Sequence, residues 1–578
     1  MKLRQVLVGA TAICTVSVGA ASAAPAYDML IRNGAIYDGS GGKPYPGEVA
    51  IKGDRIAYVG RHAPGKAAKR TIDAHGQAVS PGFINLLAHP EDSFWVDGRA
   101  LSDLTQGVTL EVMGEGWTGG PTTAEQAKKD ESRQGDIKYP ITWRSFGEWM
   151  GALEHHGVSP NIASFVGATS VRIKVLGEGD VQPTPAQLTT MRGEVKTAMK
   201  DGALGLGSAL IYAPATYAKT PELIALASQS AQCGGMYISH MRSEGDRLTE
   251  AVDELIAIAK GSGGPAEIFH LKAAGKSNWG KLDTVIGQVE KARASGTRIT
   301  ADVYTYTAGA TGLDAAMPPW VQAGGLEKWI ERMKDPVTRA RVIREMRDPR
   351  AGFENLYLHA AAEGTLLLAF KNDKLKPLTG KTLAEVAKMR GVSPEDAAID
   401  LVIEDGSRVG VAYFLMSEEN VKRQVALPWV SFGSDEAGEA PEGVFLKSNA
   451  HPRAYGNFTR VLGKYARDEH ALTLAGAVRK LATLPADNLN LKDRGRLKAG
   501  AFADVAIFDP RTVSDHATYP KPHQLSTGVS TVLVNGVVAL EDGKATDARP
   551  GRFVHGRAWA GAPGGGCRAK ASDWKWVM

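Results

Sequence analysis

The sequence predicts an α/β protein: a TIM-type (β/α)8 barrel joined to a small β-sandwich, with an insert between the seventh and eighth barrel strands. Three observations lead there. Short β-like runs broken by glycine turns fill residues 28–79 and return near the C-terminus. Between them, strand-like and amphipathic helix-like stretches alternate, the pattern of a parallel sheet with crossover helices. And 578 residues, 43% apolar and 23% charged, form an ordinary globular chain too long for one plain barrel.

In chain order, residues 1–23 read as a cleaved export signal: basic MKLRQ, the apolar VLVGATAICTVSVGA, then the small-residue site ASA. That predicts a periplasmic or secreted protein. Cys14 lies inside this signal, so only Cys233 and Cys567 remain, which allows at most one bridge. The formal charge of +5 is small for this length and argues against a nucleic-acid surface. No later stretch is long and apolar enough to span a bilayer.

Residues 28–79 (DMLIRNGAIYDGSG, GEVAIKGDRIAYVG, KRTIDAHGQAVS) and 496–556 (FADVAIFDP, STVLVNGVVALEDGK) form the expected sandwich. Residues 80–495 form the barrel. Its eight strand candidates are VSPGFINLLAH, VTLEVMGE, NIASFVGA, GALGLGSALI, GGMYISH, AEIFHLK, RITADVYTY and LPWVSFGSD. PELIALASQSAQ and RLTEAVDELIAIAK are two of the helices between them. The interval 307–426 is too long for one crossover and predicts an insert or lid, with WIERMKDPVTRARVIREM helical. The Gly/Ala-rich segment 557–578 reads as a loosely attached tail.

A (β/α)8 barrel builds its site at the C-terminal strand ends. The second strand ends in Glu115, the fifth in His240 and the eighth in Asp435, while the sixth carries His270. With thirteen histidines in the chain, one at a strand end means little. Two on successive strands, with two carboxylates at the same rim, form a donor set suited to Zn2+.

These residues sit in a longer series of motifs: PGFI, QGVTLEVMGEG, ALGLGSALIYAP, SHMRSEGD, FHLKAAGKSNWGK, DVYTYTAGATGL, FGSDEA, HPRAYGNFTRVLGKY and DRGRLKAGAFADVAIFDP. In this order they resemble the amidohydrolase superfamily and, within it, the N-acyl-D-amino-acid deacylase (D-aminoacylase) family, over residues 28–550. The resemblance implies a zinc held by the fifth- and sixth-strand histidines and a second-strand residue, often a cysteine in a Gly-Asn-Cys-Gly turn. Here Gly114-Glu115-Gly116 stands instead, so Glu115 takes the thiolate's place.

The chain departs from the family at the first strand, where Asn85, Leu87 and His89 replace the expected Asp-x-His-x-His. Positions 87 and 89 should share the face toward the barrel mouth, and Leu87 cannot coordinate. His89 is then a rim histidine or a weak second-metal residue, and one zinc per chain is expected. By the resemblance Asp435 is the general acid/base. Tyr212 and Tyr306 correspond to positions that hold a substrate carboxylate. Lys272, two beyond His270, and Arg453 are further candidate anion contacts. The expected activity is zinc-dependent hydrolysis of a linear amide, the substrate a small N-acyl-(D-)amino acid with a carboxylate. A dipeptidase or other amidase on the same scaffold is one alternative. A catalytically inactive binding protein, suggested by the first-strand losses, is another.

Overall fold

The computed structural model describes residues 26–65 and 67–569. The expected export signal, residues 1–23, and the last nine residues lie outside them.

All eight barrel strands are present: Phe83–Asn85, Val108–Met113, Asn161–Ser164 continued by Val166–Gly167, Gly205–Ala209, Met236–His240, Ala266–Ile268, Ile299–Val303 and Val430–Phe432. Each pairs in parallel with the next. Backbone bonds from Leu86 N to Phe432 O and from Asp435 N to Leu87 O join the eighth strand to the first and close the barrel. Met236–His240 is buried at every position, as a strand covered on both faces must be. The crossover helices follow local rules. Pro185–Asp201 starts with a Thr184/Gln187 capping box and Pro185 in its first turn, and stops at Gly202 in the left-handed region. Leu248–Ser262 buries Leu248, Ala251, Val252, Leu255 and Ala259, a helical stripe against the barrel.

The two β-rich flanks meet as expected. Tyr27–Ile36, Tyr45–Lys52 and Arg55–Gly60 join Val505–Phe508, Val529–Val534 and Val537–Glu541 through Ala78–Pro81, in one nine-stranded sheet. Residues from both ends, among them Ile31, Val49, Val505, Ile507 and Leu533, share one core.

The insert has its own antiparallel sheet, Ala308–Gly312, Gly410–Phe414 and Thr365–Ala369, and its own apolar core. Its expected single helix is two, Leu326–Met333 and Pro336–Arg347. Asp335 ends the first and caps the second by accepting from Thr338 N, and Pro336 sits in the first turn.

The C-terminal segment corrects one expectation. Beyond Ala545 the chain leaves the sheet and runs along the barrel: Val554 N donates to Ile162 O, Gly556 N to Gly202 O and Ala560 N to Lys200 O. Cys567 is disulfide-bonded to Cys233 beside the helix Thr220–Gln232. Up to Ala569 the tail is fastened rather than loose, because its backbone groups find partners on the barrel's outer surface. No helix among the described residues is long and apolar enough to cross a membrane.

Candidate metal centre and substrate cleft

Glu115 leaves the second strand on a turn only glycines allow. Gly114 has φ 104°, and a Cβ there would stand 2.4 Å from Phe165 O. Gly116 has φ 85°, and its Cβ would meet Ala209 at 2.9 Å. The turn aims the Glu115 carboxylate across the barrel mouth. Its Oε1 is 3.0 Å from His240 Nδ1 and 2.8 Å from His270 Nε2. His240 closes the fifth strand, whereas His270 lies two residues past the end of the sixth with φ 35°. Asp435 likewise follows its strand at positive φ, 54°. Such backbone costs energy and persists where the surroundings over-determine it.

The other Glu115 oxygen, Oε2, is 3.2 Å from His89 Nε2, which is also 3.2 Å from Asp435 Oδ1. Glu115 therefore joins two donor sets, Glu115–His240–His270 and His89–Glu115–Asp435, each with ligand atoms within 4.8 Å of one another. Two imidazoles and a carboxylate at this spacing fit a divalent cation such as zinc. Burial opposes the charge of Glu115, but His270, His240 and His89 hold its carboxyl well below the ordinary range. Burial would also raise Asp435; the Arg453 guanidinium, 2.9 Å from its Oδ2, overrides this and keeps it ionised.

The first strand differs from the expectation in detail. His89 reaches the centre, but Leu87 is fully buried among Ile84, Leu86, Leu110 and Val112 and does not line the cleft. Asn85 accepts from Ser434 N and donates to Asp103 and Ser434, fixing the loop that carries Asp435.

A cleft of 670 Å³ opens over the centre, lined by His89, Glu115, Asp435 and Arg453, by Tyr212, and by Thr311 and Arg408 of the insert. Tyr212 stands with its ring 5.4 Å from His240 and its hydroxyl 2.7 Å from Thr311 Oγ1. Arg453 is 1% exposed, and its Nε and Nη1 have no hydrogen-bond partner among the described residues.

Two other candidate contacts lie elsewhere. Lys272 is turned inward, its Nζ 2.7 Å from Glu244 Oε1 and 2.8 Å from His270 Nδ1. Tyr306 donates to Asp515 at 3.3 Å beneath Arg460 and is not on the cleft wall. For Lys272 the sixth strand ends at Ile268, so period-two alternation does not extend to it; Tyr306, placed by resemblance, follows a strand that ends at Val303.

Sequence reasoning passed over Tyr304, whose ring lies 4.2 Å under Arg453 and 5.4 Å from Lys272 Nζ. It also passed over Glu244, 3.0 Å from His270 Nδ1, which orients that ring. Glu244 lay within the quoted SHMRSEGD motif; nothing local marked it as the partner of a histidine on the next strand. Arg408 carried no signal.

The amidohydrolase family model matches residues 70–540. The N-acyl-D-glutamate deacylase of Alcaligenes xylosoxydans xylosoxydans is 32% identical over 545 residues, 93% of this chain and 98% of that protein. A D-aminoacylase structure, described as having a binuclear metal center with one-metal activation and second-metal attenuation, superposes with TM-score 0.76 at 29% identity, covering 92% of this chain and 100% of that one. The N-acyl-D-glutamate deacylase of Bordetella bronchiseptica, complexed with zinc and a phosphonate mimic of the tetrahedral intermediate, gives TM-score 0.75 at 27% identity, with coverage of 92% and 99%.

Proposed function

The chain belongs to the amidohydrolase family, and on that premise we propose that it hydrolyses the linear amide of N-acyl-D-amino acids with one zinc ion held by Glu115, His240 and His270. The observation that carries this reading is the single carboxylate between two imidazoles, beside an aspartate kept ionised by an arginine. The D configuration rests on the relatives' substrates.

Zinc held by this set would lower the pKa of a bound water to about 7 and polarise the amide carbonyl. Asp435 is placed to accept a proton at Oδ1 and to return one to the leaving amine. Arg453 offers Nη1 to the substrate carboxylate, its Nε facing Glu436 Oε1 at 3.5 Å, with Tyr304 stacked beneath it. Tyr212 flanks His240 on the opposite wall. Glu244 Oε1 accepts from Lys272 Nζ and lies 3.0 Å from His270 Nδ1, bracing the ring whose Nε2 faces Glu115. A second ion at His89 would engage Asp435 Oδ1 and so compete with the base, which is why one ion is the working state assigned here.

We further assign the protein to the periplasm or the exterior. The export-type N-terminus and the Cys233–Cys567 disulfide support this.

The test is metal analysis with a panel of N-acetyl-D-amino acids, N-acetyl-L-amino acids and dipeptides. Zinc-dependent turnover of the D series is expected. Active protein without zinc, or full activity in Asp435→Asn, would sink the proposal. Preference for dipeptides would move the substrate assignment to a dipeptidase, and zinc-loaded protein inert on every amide would favour a binding role.

A further inference from the structure

Beyond the catalytic cleft lies a second cavity of 470 Å³, between the barrel and the insert. Trp117, Arg408 and Gly410 line both spaces. Its apolar wall comes from Ile173, Pro214, Leu326, Trp329 and Val409. Its charged side chains are ion-paired, Arg133 with Glu178 and Glu327 and Arg408 with Asp314, while Asp314 Oδ1 and Trp329 Nε1 have no hydrogen-bond partner among the described residues. A chamber with one apolar wall and its ions paired suits an apolar chain with a few polar contacts.

The position of the chamber says which part of a substrate reaches it. Strand Ala308–Gly312 of the insert runs along the cleft. At one end Ala308 O bonds His451, whose Nδ1 accepts from Arg453 N; three residues on, Thr311 bonds Arg408 and Tyr212. Ala308 and Thr311 are therefore about 10 Å apart along the strand, at ~3.4 Å per residue. With the carboxylate at Arg453 and the amide carbonyl at Glu115, the acyl group leaves on the side of Tyr212, Trp117 and Arg408. Trp117 is two residues from Glu115 on the same glycine-flanked turn and 36% exposed, and its ring stands 6.0 Å from that of Tyr212. An acetyl methyl ends before this boundary.

We propose that the chamber is the acyl-chain site, and that the substrates carry a medium or long alkanoyl group that passes Trp117 and Arg408. This rests on the reading of the cleft as the site of an N-acyl-amino-acid hydrolase. Each methylene moved from water onto an apolar wall is worth about a fourfold gain in binding.

The test compares acetyl and octanoyl forms of the D-amino acid turned over fastest, on zinc-loaded full-length protein below micellar concentrations. The octanoyl/acetyl ratio of kcat/KM is expected to be at least about thirty. In Ile173→Trp and in Leu326→Trp, made separately so that one misfolded variant does not decide the matter, the ratio falls at least about tenfold as the ring fills the chamber. A wild-type ratio near one overturns the proposal, as does a ratio unchanged in the folded variants. A change confined to amino-acid side-chain preference at fixed acetyl also overturns it, since the chamber would then hold that side chain. If no N-acyl-amino acid is hydrolysed, the functional reading fails, and calorimetry decides the chamber. N-octanoyl-D-glutamate should then bind at least about thirtyfold tighter than N-acetyl-D-glutamate and lose that advantage in the variants; equal affinities overturn it.

Discussion

Glu115 Oε1 lies 2.8 Å from His270 Nε2, although one residue leaves the second barrel strand and the other follows the sixth. Neither has a sequence neighbour to satisfy it there; the pair exists because the barrel closes. His240→Ala and His270→Ala are each expected to purify with less than about a tenth of the wild-type zinc. Glu244→Gln, one bond removed, should weaken zinc by roughly 10–100-fold in a chelator competition. Undiminished zinc in His270→Ala would mean the ion sits elsewhere.

Asp435 is bonded to His89 and Arg453, and the proposed mechanism assigns it the proton transfer. Asp435→Asn should retain its zinc and lose about 10²–10⁴ in kcat. Loss of zinc together with activity would instead make Asp435 a ligand.

Arg453 and Tyr304 form one unit at 4.2 Å. Arg453→Met is expected to raise KM for carboxylate substrates by roughly 10–100-fold, the worth of a charge-assisted hydrogen bond. Tyr304→Leu, which removes the supporting ring, should raise KM by about fivefold. Tyr306→Phe loses only a bond to Asp515 and should stay within about twofold of wild type. Steady-state kinetics that reversed Tyr304 and Tyr306 would restore the sequence-based assignment.

Glu267 on the sixth strand is fully buried; burial first, then the Asp302 charge, pushes its carboxyl up to about 8. The unfolded chain ionises near the ordinary value of 4.5 and the folded one near 8, so the folded state holds more protons between them. Stability from this group is full below pH 4.5 and is lost as pH rises to 8, at up to about 1.4 kcal/mol per pH unit. Glu267→Gln should flatten that decline in urea unfolding measured across the window. Parallel slopes in the two proteins would show that Glu267 titrates normally.

The Cys233–Cys567 bond closes a loop of 334 residues and ties the C-terminal segment to the barrel. Cys567→Ser is expected to lower stability by about 2–4 kcal/mol and to expose the segment after Gly556 to limited proteolysis. An unchanged melting temperature and digestion pattern would mean the backbone bonds hold the segment unaided.

Much of this protein was legible before folding. The strand ends at Glu115, His240 and Asp435 could be read because each strand is a short apolar run with a polar residue at its C-terminal edge, and a barrel collects such edges at one rim. The pairing of the two β-rich flanks was legible for the same reason: matching runs left unpaired at both ends need each other. Two candidate contacts lie off the cleft wall. Lys272 was assigned by counting two residues on from His270, past a strand that stops at Ile268, and Tyr306 by family resemblance alone. Past Ile268 and Val303 the chain follows loop geometry, which gave Lys272 to Glu244 and the stacking position to Tyr304.

The sequence by itself determined the barrel, its flanking sheet, the insert and three of the polar residues at the rim, because these follow from local periodicity and strand-end chemistry. Only the tertiary structure decided that one Glu115 carboxylate serves two donor sets and that Leu87 lies in the core. It also decided that Arg408, from an insert nearly 300 residues away in sequence, stands at the boundary between cleft and chamber. Those are contacts between residues far apart along the chain, and no local pattern encodes which distant side chain will fill the space that closure of the barrel creates.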